Sequence, residues 1–74
     1  MKPLNRFKEG DCFKTKLELN PKISNIINAR ISRFRRPNCL VTYLGTAPGD
    51  NLIWCRNINH EEVTIYGISE IIDI

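Results

Sequence analysis

The apolar residues of this 74-residue chain recur mostly with a period of two. After the turn signal Gly10-Asp11, the run Cys12-Phe13-Lys14-Thr15-Lys16-Leu17-Glu18-Leu19 alternates strictly. Phe13, Thr15, Leu17 and Leu19 fall on one face and Lys14, Lys16 and Glu18 on the other, the pattern of a half-buried strand. Asn20-Pro21 ends it, because proline lacks the N–H that a ladder needs. Further along, Cys39 to Gly45 is rich in strand formers. Ala47-Pro48-Gly49-Asp50-Asn51 reads as a turn and Leu52-Ile53-Trp54-Cys55-Arg56 as the returning strand. Asn57 and Asn59 interrupt it. Glu62-Val63-Thr64-Ile65-Tyr66 alternates again, and Ile68 to Ile74 follows the break at Gly67.

Residues 21–36 admit two readings. Ile23, Ile26, Ile27, Ile31 and Phe34 have helical spacing, with Asn20 as a cap and Pro21 at the first position. Alternatively Ile27, Ala29 and Ile31 form one strand face, with a bulge near Arg33 turning Phe34 inward and a hairpin over 27–44 around Arg36-Pro37-Asn38. Isoleucine, serine and asparagine are mediocre helix formers, so propensity favours the strand. The expected fold is then all-β, a small barrel of five or six strands, because closing the sheet hides its edges. The alternative is α+β, with one helix at about 21–34 packed on a four- to five-stranded antiparallel sheet.

Two stretches resemble a known architecture. Phe7-x-x-Gly10-Asp11-x-Phe13 looks like the opening of many Src-homology-3-like small barrels. Val63-x-Ile65-x-Gly67-Ile68-x-x-Ile71 is similar to their fourth strand, short turn and closing strand, and loosely to the closing segment of Sm-like barrels. The typical acidic and glycine positions of the Sm-like group are not evident. The resemblance implies a fold and carries no functional residue with it.

Composition narrows the class. The length predicts a single domain over 1–74 with a thin core. No apolar run reaches the ~20 residues of a membrane span, and the first ten residues lack the apolar stretch of a signal peptide, so a cytoplasmic location is expected. Eleven isoleucines and eight asparagines fit a bacterial or phage origin through codon bias. Cys12, Cys39 and Cys55 are odd in number and widely spaced, which predicts reduced thiols, and no bound zinc is expected from these with His60. His60-Glu61-Glu62 reads as a solvated loop. Glycine-rich phosphate loops are absent, and no cofactor or catalytic residue is assigned; a non-enzymatic chain is expected.

Charge adds a dipole that the net value of +3 conceals. Residues 1–36 hold ten basic residues, Lys2 and Arg6 among them, against three acidic ones, a balance of +7. Residues 37–74 hold one against five, a balance of −4. Arg30, Arg33, Arg35 and Arg36 lie within seven residues, and arginine forks bind carboxylate or phosphate in bidentate fashion. A second constellation is aromatic: with Ile53 and Cys55 inward, Trp54 and Arg56 point out, and by the same logic Val63 and Ile65 inward place Tyr66 out. Tyr43 joins that exposed set. Such residues stack on unpaired bases or anchor a protein interface. The competing expectations are a solvated basic face and aromatics that simply fill the core.

Two functions follow. The first is a protein-interaction module, such as a phage- or mobile-element-encoded regulator docking its basic face on the acidic surface of a larger protein. The second is a nucleic-acid-binding barrel using the arginines for phosphates. The acidic half favours oriented protein docking, or self-association through the opposite poles.

Overall fold

A computed structural model describes residues 7–73, so Lys2 and Arg6 lie outside the described residues. Among these residues lie five strands: β1 (Cys12–Thr15), β2 (Leu40–Thr46), β3 (Leu52–Asn57), β4 (Glu62–Gly67) and β5 (Ile71–Asp73). All neighbours are antiparallel, in the order β4-β3-β2-β1-β5. The sheet curls into a half-barrel, an all-β, barrel-like fold. A 3-10 turn over Ile68–Glu70 carries the chain from β4 across to β5. Among the described residues no helix is long and apolar enough to cross a membrane.

The alternation in the sequence sets the two faces. Phe13, Val41, Tyr43, Ile53, Cys55 and Tyr66 point to the inner face and form the main core with Phe7, Ile68 and Ile71. Phe7 stacks at 4.9 Å on Phe13 and edge-on at 5.3 Å against Tyr43. Such tilted pairings suit the ring quadrupoles. A second, smaller cluster lies on the opposite face: Ile27, Ala47, Leu52 and Ile65, with Ile23, Ile31 and Trp54 half-buried against it.

The segment between β1 and β2 is neither of the two expected forms. It holds two short helices, α1 (Pro21–Ile26) and α2 (Ala29–Ser32). The strand at 27–32 and the hairpin over 27–44 are therefore wrong, and β2 pairs instead with β1 and β3. No bulge occurs at Arg33; the register shift lies in β2, between Tyr43 and Gly45. Local capping outweighed propensity. Asn20 Oδ1 accepts from Lys22 N at 2.9 Å and Pro21 opens α1; Asn28 Oδ1 accepts from Arg30 N at 2.8 Å and starts α2. Each side chain satisfies an N–H that a helix start leaves orphaned. The same second cap forbids one continuous helix, because Ile27 is extended (φ −83°, ψ 148°) so that Asn28 can restart the turn.

The first strand also ends early. Thr15 is buried, but Leu17 is 75% exposed. Lys16 N donates to Glu70 O and Asn38 N donates to Lys16 O, which carry both registers one step past Thr15, and the alternation beyond Lys16 has no partner strand.

The helical crossover closes the gap left by an incomplete barrel. β4 is an edge strand, and an uncovered edge would present unpaired backbone groups. Thr64 Oγ1 donates to Ile31 O at 2.6 Å, and Arg35 Nη1 donates to Ile65 O at 3.0 Å. The crossover covers that edge with side-chain bonds instead of another strand. Gly67 permits the close approach, since a Cβ there would run into Ile23 Cδ1.

Candidate functional site

Four arginines of the crossover separate into two pairs. Arg35 is only 8% exposed, and its fork meets Glu70, itself 2% exposed, at 2.7 and 2.5 Å. Its Nε donates to Ser24 Oγ at 3.0 Å. Glu70 also accepts from Asn20 N at 2.6 Å and Gly67 N at 2.8 Å. That carboxylate thus ties together the start of α1, the end of the crossover and the turn into β5. Arg36 pairs with Glu62 at 2.7 and 3.1 Å near the surface. The pair raises the guanidinium and lowers the carboxyl of Glu62 from their ordinary values, through the shared hydrogen bonds.

Arg35 was expected on the exposed basic face with the other three arginines, and this is corrected: the carboxylate of Glu70 draws its side chain inward. Arg30 and Arg33 remain exposed, as does Lys22, and neither arginine makes an ion pair among the described residues. Arg33 lies over the Phe34 ring, 4.9 Å from its centre. No acidic residue occurs between Glu18 and Asp50, so the crossover has no carboxylate of its own to neutralise them.

The aromatic set divides in the same way. Tyr43 and Tyr66 are core residues, against expectation. Both faces of β4 are covered near its end, one by the core and the other by the crossover, so alternation there does not mean exposure. Tyr66 is 0% exposed, and its hydroxyl donates to Asn57 Oδ1 at 2.6 Å while accepting from Arg36 N at 2.9 Å. Asn57 Nδ2 donates to Phe34 O at 2.7 Å, and Thr15 Oγ1 donates to Arg36 O at 2.8 Å. These bonds pin residues 34–36. Val63 was expected inside and is exposed; Ile65 is buried, but against the crossover.

Trp54 and Arg56 do face outward, as alternation demands, Trp54 half-buried and Arg56 exposed. Trp54 forms part of a shallow groove of about 270 Å³. Ile26, Ile27 and Ile31 wall it on the crossover side, Pro48 caps it, and Leu52, Trp54 and Ile65 make its floor. Ile26 is 74% exposed at the rim.

Comparison with protein-family models, curated proteins and solved structures finds no match.

Cys55 is buried, Cys39 half-buried and Cys12 exposed. Burial pushes the Cys55 thiol up to about 12 and also raises Tyr66 and Tyr43, because each charged form would lose its hydration. A thiol held neutral is a poor nucleophile and a poor ligand. Among the described residues no three His, Cys, Asp or Glu side chains converge. His60 and Glu61 are exposed in the β3–β4 loop. Every buried side-chain nitrogen or oxygen among the described residues has a hydrogen-bond partner.

Sequence reasoning missed Glu70 as the receiver of Arg35 and missed Ile26, Ile31, Pro48 and Leu52 as groove residues. The second asparagine cap at Asn28 was the available signal for the latter, since it breaks the helix and splays Ile26 from Ile27.

Proposed function

We propose that this protein is a small, non-enzymatic interaction module of the cytoplasm that docks the cationic side of its helical crossover on an acidic surface of a larger protein. The division of the arginines carries the reading: Arg35 and Arg36 have carboxylate partners within the molecule, while Lys22, Arg30 and Arg33 stand exposed on a stretch with no acidic residue. Charge displayed without an internal partner favours fast, oriented encounter with an anionic surface. We read the half-barrel itself as Src-homology-3-like, supported by the strand order and the 3-10 turn leading into β5.

The test is capture of partners from native lysate by the immobilised protein, with and without nuclease, beside Arg30→Glu/Arg33→Glu. The expected result is an identified acidic protein that survives nuclease, is lost from the double variant, and is released as salt approaches ~1 M, where screening acts over about 3 Å. Loss of all captured material on nuclease treatment would replace this reading with phosphate binding by the same arginines.

A further inference from the structure

We propose that the groove between the crossover and the outer face of β3–β4 receives a short extended segment of the partner protein, a bulky apolar side chain seated on Trp54 and a carboxylate two residues away on Arg56. This deepens the docking reading above and rests on it for the acidic character of the partner.

The geometry follows from strand periodicity. Leu52, Trp54 and Arg56 are alternate residues of β3 and so share its outer face, about 7 Å apart at each step. Trp54 lies opposite Ile65 and Arg56 opposite Val63 in the β3–β4 register. The groove floor is the apolar group Leu52, Trp54 and Ile65, and beyond its end the same strand face continues to the exposed Arg56 and Val63. An extended peptide repeats every second side chain at the same ~7 Å. An anchor on Trp54 thus brings the side chain two positions along over Arg56, where a carboxylate gains a charge-assisted hydrogen bond.

Size and charge choose the occupant. A volume of about 270 Å³ falls below the usual range for small-molecule pockets, roughly 300–1,000 Å³. It suits one or two buried side chains of a protein partner, the usual form of an interface anchor. The groove is lined by Asn28 as its one polar side chain and by no acidic residue, while Arg30 lies on the helix that supplies Ile31. A cationic exit from an apolar floor complements an apolar residue followed by an acid.

The chain's single tryptophan lies in the groove, so its fluorescence reports occupancy directly. Dodecapeptides from a random display library are selected on the intact protein, and the enriched peptides are synthesised and titrated. The expected consensus places a large apolar residue two positions from Asp or Glu. Those peptides shift Trp54 emission and bind at least about tenfold more weakly to Ile26→Ser and to Arg56→Glu. Both sites are exposed enough for the variants to keep the parent's circular dichroism. Enrichment without that pairing, or equal binding to Ile26→Ser, overturns the proposal. So does a stronger response to oligo(dT), or sedimentation showing a dimer that Ile26→Ser abolishes. The two readings fail separately: an acidic partner lost from Arg30→Glu/Arg33→Glu but kept by Ile26→Ser sinks the groove alone. Peptides that bind the groove while the lysate yields no acidic partner sink the docking surface alone.

Discussion

Arg30 and Arg33 lie within a few residues of Arg35 and Arg36, in the same crossover, yet the two pairs meet opposite surroundings. The second pair lies where the chain turns back towards β2 and meets two carboxylates from the acidic half, Glu70 and Glu62. The first pair sits on and just after α2, with solvent on its outer side and no acid nearby in sequence. The same side chain is a structural clamp in one place and a displayed charge in the other. Residue type and local density do not assign the role; the partner brought across the fold does.

The comparison breaks most visibly at Glu70. Glu70→Ala leaves the Arg35 guanidinium buried without its carboxylate, and losing one partner of a buried pair costs about 3–5 kcal/mol. For a chain this small that approaches the whole stability. Urea denaturation followed by Trp54 fluorescence should show the loss, while Arg30→Ala/Arg33→Ala stays within about 0.5 kcal/mol of the parent. Equal effects from the two variants would erase the distinction.

Alkaline pH probes the core beside the clamp. The Cys55 thiol sits above its ordinary value of 9.0, at about 12, because the folded state buries the neutral form. A folded value above the unfolded one means stability is intact below pH 9 and lost as pH rises towards 12. From Cys55 the slope is about 1.4 kcal/mol per pH unit across that window, with Tyr43 and Tyr66 adding to it above 10. Cys55→Ala should flatten the decline between pH 9 and 10 in thermal melts, where an unchanged slope would refute the assignment.

The smallest effect belongs to the surface pair. Arg36 holds Glu62 below the ordinary carboxylate value of 4.5. Its contribution is therefore present above that value and fades as pH falls through the folded one. Glu62→Gln should melt slightly below the parent at pH 7 and converge with it at low pH. A gap that persists in acid would mean that the side chain acts through packing instead of charge.

Strands with one face on a core were legible. Phe13 and Thr15, Ile53 and Cys55, and the turn at 47–51 all lie where alternation and turn chemistry place them, with Ala47 N donating to Leu52 O. Legibility failed wherever a second layer intervened. Tyr66 and Ile65 are both buried because β4 is covered on each side, and period-two logic assumes one wet face. The crossover was misread because two asparagine caps, each acting over three residues, outweigh the summed propensities of a sixteen-residue window. Of the candidate site, the outward pair Trp54 and Arg56 and the exposed Arg30 and Arg33 were readable. The removal of Arg35 from the surface was not, since Glu70 is 35 positions away and nothing local announces it.

That separation also orders events in time. A growing chain makes Arg35 well before Glu70, and at about 5–20 residues per second the interval is about 2–7 s. Until Glu70 is made, the Arg35 fork lacks its carboxylate, and the N–H groups of Asn20 and Gly67 lack the acceptor they share with it. The clamp that joins α1, the crossover and the turn into β5 can therefore form only after that turn has been made, however early the helices appear.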